Sequence, residues 1–248
     1  MRYKRFIKQN IGNIISKTYG SLLFKNQKGL KVLMYHDIGN TDSFDLYKIK
    51  LQIFKKHLDF IIKGEEKRKI INISRGIETF SNIIITFDDA YSSIYNSIFP
   101  LLIEKKIYFT IFVICKYLEN KSNKYITINQ LKEMSQSKFI TIGSHTYNHL
   151  QLNKCSIDTA KYEINYSKKY LEDIIGKSVN YLSYPYGNYS EDIKKLVIKS
   201  GYKAAFSSKF GFYNNLKDMY NIPRIDIWST DNINSLNDKI EGKWNWYS

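Results

Sequence analysis

IIITFDDAY, residues 83–91, places two adjacent carboxylates directly after a run of aliphatic and β-branched residues. The run predicts a buried strand, and an aspartate after a strand commonly caps the helix that follows. Two aspartates in succession are different, because each negative charge raises the cost of ionising the other. Asp88 and Asp89 therefore need either solvent or a cation nearby, and motifs elsewhere in the chain indicate which of the two to expect.

Strands and helices alternate along the chain on both sides of this stretch. Short β-branched runs predict strands at 31–36, 82–87, 108–114, 138–143, 181–184, 203–208 and 221–227. Longer amphipathic segments predict helices at 49–64, 91–106, 128–136, 156–175 and 190–200, followed by a short helical tail. Such alternation is typical of right-handed βαβ units in a parallel sheet. The units are numerous enough to close, or nearly close, a barrel, so we predict an α/β fold.

Length and composition favour a single globular domain. The 248 residues are 43% hydrophobic, with only 3 prolines and 12 glycines, which excludes the disordered and fibrous classes. Cys115 and Cys155 are spaced neither as a zinc framework nor as a disulfide scaffold, which fits a reducing compartment. The formal charge of +15 admits an anionic partner. The lysines are spread along the whole chain, however, which favours a compositional bias over a nucleic-acid partner.

Residues 1–29 form a basic segment ahead of the domain that we predict for 30–248. Its isoleucines and leucines recur at roughly helical spacing among arginines and lysines. Polar residues interrupt the apolar run, so the segment is typical of neither a signal peptide nor a transmembrane span. A basic amphipathic helix on an anionic membrane and a helix packed on the domain both fit this pattern. We expect a cytoplasmic location, peripheral on the inner membrane face if the helix contacts lipid.

Reactive side chains follow three of the predicted strands. His36 ends the first strand, Asp88 and Asp89 follow the second, and GSHTYNH (143–149) places His145 and His149 after the fourth. The carboxyl ends of parallel barrel strands meet at one face, so we expect these side chains to lie together. One turn of helix would bring the two histidines of GSHTYNH to the same side. Singly, each motif also has a structural explanation, as an N-cap or as part of a surface helix.

Two imidazoles and one carboxylate are standard ligands for a divalent first-row metal, and they leave open positions for water and substrate. The sequence therefore predicts one catalytic divalent ion. Zinc is favoured by the imidazoles, and cobalt, nickel or iron would accept the same ligands. One aspartate of the pair can coordinate the cation while the other, kept ionised by it, takes a proton from water.

These motifs resemble the polysaccharide deacetylase (NodB-homology) family of metal-dependent carbohydrate de-N-acetylases. The resemblance rests on TFDD (86–89), the His-x-x-x-His segment and a Pro-Tyr-Gly motif (185–187), which occur in family order. It covers most of the chain, from about 31 to 228. It implies a single distorted (β/α)7 barrel and the hydrolysis of an N-acetyl group from an amino sugar.

Carried over by position, the resemblance implies that Asp88 is the catalytic base. It also implies that Asp89, His145 and His149 are the metal ligands. SYPYG (183–187) would line the groove, with the backbone N–H of Tyr186 helping to stabilise the oxyanion.

The chain departs from the family pattern at two motifs. An arginine usually stands ahead of Pro-Tyr, where this chain has Ser183 and Tyr184, so we expect Arg224 in NIPRIDIW to orient the base instead. A C-terminal Leu-x-His usually supplies the general acid, but no histidine follows His149.

LMYHDIG (33–39) accounts for the missing C-terminal histidine. It resembles the N-terminal motif of a circularly permuted branch that includes the poly-N-acetylglucosamine deacetylases of biofilm systems. The first and last strands of a closed barrel are neighbours, so a histidine on the first strand can reach the same point. We expect His36 to be the acid that protonates the leaving amine. A strand-end histidine bonded to Asp37 is the structural alternative.

The expected substrate is an N-acetylated carbohydrate of a surface glycan or of its biosynthetic intermediates. Aromatic residues at strand ends are candidates for stacking on sugar faces, although such residues are often part of the core. These candidates are Tyr147, Tyr184, Tyr186 and Trp228, with Pro185 in the same groove. Two alternatives remain: metal-dependent hydrolysis of another C–N amide, and a non-catalytic carbohydrate-binding or scaffold protein at the membrane surface.

Overall fold

The computed structural model describes residues 12, 15–20, 28–40, 44–64, 69–76, 82–119, 122–214 and 218–247. Within these ranges, seven parallel strands close a barrel and two short strands pair beside it. In chain order the strands are β1 (Lys31–Tyr35), β2 (Asp37–Ile38), β3 (Lys48–Ile49), β4 (Ile83–Phe87), β5 (Phe109–Val113), β6 (Ile140–Ser144), β7 (Tyr181–Ser183), β8 (Ala204–Phe210) and β9 (Ile222–Asp226). The barrel runs β1-β4-β5-β6-β7-β8-β9 and closes through β1 and β9. The predicted α/β barrel is confirmed.

Helices connect the barrel strands. In chain order the α-helices of the described ranges are α1 (Leu51–Lys63), α2 (Ile73–Gly76), α3 (Phe99–Glu104), α4 (Cys115–Leu118), α5 (Ile128–Ser135), α6 (Ile157–Ile175), α7 (Glu191–Lys199) and α8 (Ile233–Ile240). Two segments are π-helical, Ser16–Gly20 and Ile94–Ile98, and the second runs into α3. Short 3₁₀ turns occupy Leu152–Lys154, Pro185–Gly187 and Asn245–Tyr247.

The strands β4 and β5 are almost entirely apolar because both of their faces are covered. All five residues of β4 and all five of β5 are buried. Side chains on one face fill the barrel and those on the other contact the helices, as in other all-parallel sheets. This explains why uninterrupted Ile, Val and Phe runs predicted the strands to within a few residues.

The pairing of β1 with β4 sets two reactive residues at the same level of the barrel. Tyr35 pairs with Phe87, and the N–H of Asp88 donates to the Tyr35 carbonyl at 2.9 Å. The residues that follow this pair, His36 and Asp88, therefore leave adjacent strands side by side.

The long helix α6 shows how local signals fix element boundaries. The Ser156 hydroxyl accepts the N–H of Thr159 at 3.2 Å, which satisfies an otherwise unpaired donor of the first turn. At the other end Gly176 adopts φ 66°, the left-handed conformation that commonly ends a helix. The helix predicted at 156–175 is therefore confirmed to within one residue.

Two features of the sheet were not predicted. The two-residue strands β2 and β3 pair Asp37 with Lys48 beside the barrel, and no periodicity can be read from so short a segment. The register between β8 and β9 also shifts between Phe206 and Phe210, and Phe210 pairs with Arg224. Both irregularities lie at the carboxyl ends of the strands.

The prediction of a basic helix over 1–29 falls mostly outside the described residues. Among the described positions, Gly12 lies against the ring of Trp244, and the Trp246 indole donates to the Ser16 hydroxyl at 3.0 Å. These positions therefore pack on the C-terminal tail. No helix in the described ranges is long and apolar enough to cross a membrane.

Candidate active site

A cavity of about 1030 Å³ opens at the carboxyl ends of the barrel strands. This volume is large enough for more than one sugar ring. The cavity is lined by the predicted reactive residues His36, Asp88, Asp89, His145, His149 and Arg224, together with Tyr186 and Trp228. The expectation that these side chains meet at one face of the barrel agrees with their positions.

Asp89, His145 and His149 present one ligand atom each within 4.8 Å of one another. The Nε2 atoms of the two histidines are 3.2 Å apart, and Asp89 Oδ1 lies 3.7 Å from the first and 3.9 Å from the second. His145 Nδ1 donates to the Ser183 carbonyl at 2.7 Å, so the lone pair of its Nε2 faces the cavity. This donor set and its spacing fit a divalent first-row cation.

The two histidines are not brought together by a helix, so that prediction is wrong. Residues 145–149 form a loop after β6 in which Thr146 and His149 adopt φ 65° and φ 61°. Left-handed backbone at these two positions turns the chain back on itself. The loop thereby brings the imidazoles of His145 and His149 together without a helical turn.

Asp88 forms a buried two-point ion pair with Arg224. Asp88 Oδ1 accepts from Nη1 and Oδ2 from Nη2, both at 2.8 Å, and the two side chains are almost fully buried. Burial alone would raise the pKa of Asp88, but the charge of Arg224, with those of His145 and His36, holds it well below its usual range. The carboxylate is therefore ionised and fixed in orientation.

Ser183 links the base to the ligand group, a role that its position in SYPYG did not reveal. Its hydroxyl accepts from Arg224 Nη2 at 2.8 Å and donates to Asp88 Oδ2 at 3.2 Å. Its carbonyl accepts from His145. The sequence showed only that a serine stands near the usual place of an arginine. The structure shows that Arg224 reaches the base from β9 and that Ser183 joins the same network.

Burial dominates the pKa values of the three prospective ligands. It raises the pKa of Asp89 to about 7, with a further contribution from the neighbouring Asp88 charge. It lowers the pKa of His145 to about 4 and that of His149 to about 3. The two neutral imidazoles can therefore bind a cation without losing a proton, whereas Asp89 must be deprotonated to bind one.

His36 lies at the cavity wall without a hydrogen bond to Asp37. The two carboxylate oxygens of Asp37 contact the Ser93 hydroxyl at 2.6 Å and the Lys48 ammonium at 3.0 Å. His36 Nδ1 is buried and has no hydrogen-bond partner, while its ring packs 4.6 Å from that of Tyr47. Burial lowers the pKa of His36 to about 4. The structural alternative, a bond from His36 to Asp37, is absent.

Three of the predicted sugar-contacting aromatic residues line the cavity, namely Tyr184, Tyr186 and Trp228. Tyr186 is 56% exposed, and its ring lies 4.7 Å from that of His149. Trp228 lines the wall, and its indole donates to Asp226 Oδ2 at 2.7 Å. Asp226, which the sequence analysis also missed, lines the cavity on the same strand as Arg224.

Pro185 and Tyr147 do not line the cavity, and Tyr184 lines it with a buried ring. Tyr184 is fully buried, stacks on Tyr189, and donates its hydroxyl to the Tyr220 carbonyl. Pro185 is also buried and does not line the cavity. Tyr147 packs among the tyrosines of α6 (Tyr162, Tyr166 and Tyr170) and does not line the cavity. Position after a strand does not reveal which way a ring points.

Gly187 is expected to be essential to the turn that carries Tyr186. It adopts φ 71°, and a Cβ atom there would lie 1.9 Å from the Ser208 hydroxyl and 2.3 Å from the Ser208 nitrogen. Gly187→Ala should therefore destabilise the protein by more than about 1 kcal/mol and displace Tyr186. Gly176→Ala is the matched control, because its φ is 66° but nothing lies within 4 Å of the added methyl. Equal thermal unfolding of the two variants would contradict this expectation.

The polysaccharide deacetylase family profile matches residues 77–205. The YxkH protein of Bacillus subtilis, assigned to the polysaccharide deacetylases, is 30% identical over 203 residues, which cover 80% of this chain and 71% of that protein. The poly-beta-1,6-N-acetyl-D-glucosamine N-deacetylase of Staphylococcus aureus is 32% identical over 157 residues, or 59% of this chain. The aligned part spans 54% of that enzyme, about half of its length.

A solved structure shares the fold. The Streptococcus pyogenes deacetylase PplD, determined in complex with acetate, matches with a TM-score of 0.77 at 23% identity. The match covers 87% of this chain and 99% of that one. The barrel, the family profile and the relative in Bacillus subtilis agree, and the chain belongs to the polysaccharide deacetylase family of hydrolases.

Proposed function

We propose that this protein is a metal-dependent deacetylase that hydrolyses the N-acetyl group of an amino sugar in a glycan or its biosynthetic intermediate. One observation carries the proposal: three prospective metal ligands, an ionised aspartate and an unpaired histidine line the same cavity. The staphylococcal relative is named for action on poly-N-acetylglucosamine, which supports an N-acetylglucosamine unit as the substrate.

Asp89, His145 and His149 are the residues that would hold the ion, and zinc is the first choice for two imidazoles and a carboxylate. When bound, the ion supplies Lewis acidity toward the acetyl carbonyl and lowers the pKa of water. Cobalt, nickel and iron have the same ligand preferences and remain alternatives.

Asp88 is the proposed base. Arg224 occupies both carboxylate oxygens from one side and fixes the plane of the carboxylate, so proton uptake is directed at the cavity. Asp88 Oδ2 also lies 3.6 Å from His145 Nε2, which keeps the base beside the ligand group. A water molecule attacking the acetyl carbon would give its proton to Asp88 as the new C–O bond forms.

His36 is the proposed acid. It enters from β1, beside Asp88, and its Nδ1 has no protein partner. Burial lowers its pKa to about 4, so the imidazole must first take up a proton, which it would then give to the departing amine nitrogen. The C–N bond then breaks, and acetate and a free amino sugar are released.

Tyr186 and Trp228 are the proposed contacts for the sugar. The ring of Tyr186 is exposed beside His149, and the backbone N–H of Tyr186 is the proposed donor to the oxyanion. The basic residues of 1–29 are proposed to contact an anionic membrane at its inner face, which would suit a glycan intermediate carried on lipid.

His36→Ala should lower acetate release from N-acetylglucosamine oligomers by about 10²-fold or more, since an amine cannot leave without a proton. The assay compares zinc-loaded protein with protein treated with a chelator. An acetyl ester of 4-nitrophenol serves as the control substrate, because its leaving group departs without protonation. The variant should retain most of its rate on this ester.

Three results would count against the proposal. Equal losses on the amide and the ester would show that His36 is needed for structure and does not act as an acid. Full activity of the variant on the amide would remove His36 from the mechanism. Absence of chelator-sensitive acetate release from all N-acetylated sugars, with release from another amide, would favour the alternative C–N substrate.

A further inference from the structure

The loop between the two prospective histidine ligands is tied to helix α6 by one buried carboxylate. Glu163 is 1% exposed and accepts three hydrogen bonds. Its Oε2 accepts the N–H groups of Tyr147 at 3.0 Å and Asn148 at 2.7 Å, and its Oε1 accepts the Asn148 side-chain amide at 2.6 Å. All three donors lie between His145 and His149, and none of the roles proposed above uses Glu163.

The conformation of this loop depends on its surroundings. Thr146 and His149 both have positive φ, which residues other than glycine adopt only when neighbouring contacts enforce it. On one side, the N–H groups of Cys115 and Lys116 donate to the carbonyls of Thr146 and Tyr147 at 3.2 Å and 3.0 Å. On the other side, the loop N–H groups are accepted by Glu163. Both the carbonyl groups and the N–H groups of the loop are thus held by hydrogen bonds to neighbouring elements.

The two histidines differ in how they are held. His145 is buried and oriented by the Ser183 carbonyl, whereas His149 is partly exposed. The N–H of His149 reaches only the Thr146 hydroxyl, at 3.2 Å, within the same loop. The position of the His149 imidazole therefore follows the loop backbone, and Glu163 is the side chain that fixes this backbone to α6.

We propose that Glu163 is a positioning residue that sets His149 at the distance from His145 required to bind a divalent cation. This inference rests on the proposed function, since it assumes that the two histidines are ligands. It differs from a purely structural role because it predicts an effect on metal affinity that is exerted through His149.

Glu163→Gln tests the proposal in the 248-residue chain. The amide keeps the volume of the side chain but replaces one acceptor oxygen with a donor, which faces the donors of the loop. The probe is Zn²⁺ alone, and its affinity is measured by competition with a chromogenic chelator. We expect binding to weaken by about 10- to 100-fold, the usual effect of removing a group that orients a ligand.

Glu172→Gln is the matched control. Glu172 lies on the same helix, accepts the N–H of Val179 at 2.9 Å and pairs with Lys168 at 3.0 Å, away from the histidine loop. Its replacement makes the same acid-to-amide change and should leave the Zn²⁺ affinity near that of the wild type. If Glu163→Gln does not fold, Asn148→Ala removes one of the three donors and should produce a smaller loss of the same kind.

A double substitution separates positioning from general stability. His149→Ala alone should weaken Zn²⁺ binding, and adding Glu163→Gln to it should cause no further loss. Wild-type affinity in a folded Glu163→Gln protein, or an equal additional loss in the His149→Ala background, would overturn the inference. Failure of the proposed function is distinguishable, because neither His145→Ala nor His149→Ala would then change Zn²⁺ binding.

Discussion

Asp88→Asn is expected to lower acetate release by about 10³-fold while Zn²⁺ affinity stays near that of the wild type. The amide cannot accept the proton of the attacking water. Its neighbour should behave in the opposite way: Asp89→Asn should weaken Zn²⁺ binding, because Asp89 faces both histidine Nε2 atoms. A rate measurement and a binding measurement would thus identify Asp88 as the base and Asp89 as a metal ligand.

Asp37→Asn provides the control for the loss of a carboxylate in the same cavity. Asp37 lines the cavity, but it bonds to Ser93 and Lys48 and does not contact Arg224 in any described interaction. Its replacement should change the rate far less than that of Asp88. If Asp88→Asn and Asp89→Asn weakened Zn²⁺ binding equally, the assignment of base and ligand would be incorrect.

Arg224→Met is expected to destabilise the protein by about 3–5 kcal/mol, because it leaves the Asp88 carboxylate buried without its counter-charge. Lys194→Met is the matched control. Lys194 contacts Asp218 at 2.7 Å, but this pair is partly exposed and should contribute no more than about 1 kcal/mol. Chemical unfolding of the metal-free proteins measures both values, and equal destabilisation would contradict the expectation.

The way in which Asp88 makes stability depend on pH should also reverse in Arg224→Met. In the wild type, Arg224 helps to hold the pKa of Asp88 below its unfolded value of about 3.9. Ionised Asp88 therefore contributes stability above that pH, and the contribution is lost as the pH falls. In Arg224→Met, burial prevails and raises the pKa, so stability is retained at low pH and lost as the pH rises. The deficit of the variant should thus be larger at pH 7 than at pH 4.

Much of the fold could be predicted because the barrel strands are buried on both faces. Uninterrupted apolar runs mark β4 and β5, and a serine cap with a terminal glycine marks α6. The meeting of His36, Asp88, Asp89 and His145 follows from parallel topology, since each one lies within two residues of the carboxyl end of a strand. These inferences need only local pattern and the rule that parallel strands share their carboxyl ends.

The features of the site that could not be predicted depend on the backbone conformation and on the orientation of side chains. The loop at 145–149 reaches its geometry through left-handed Thr146 and His149, neither of which signals this conformation in the sequence. Ser183 joins the base to the ligand group through one hydroxyl and one carbonyl, contacts that leave no sequence pattern. Tyr147 and Tyr184 follow strands as Tyr186 does, yet they pack among other tyrosines.

The closure of the barrel has a consequence for the order in which the protein matures. β1 is the first barrel strand to leave the ribosome and β9 is the last, yet they are neighbours in the folded protein. Asp88 cannot meet Arg224, and His36 cannot face the wall that carries Trp228, until β9 and the residues that follow it have been made. Contacts between such distant segments form slowly. The nascent protein should therefore acquire its hydrolytic site only at the final step of folding, when β9 closes against β1.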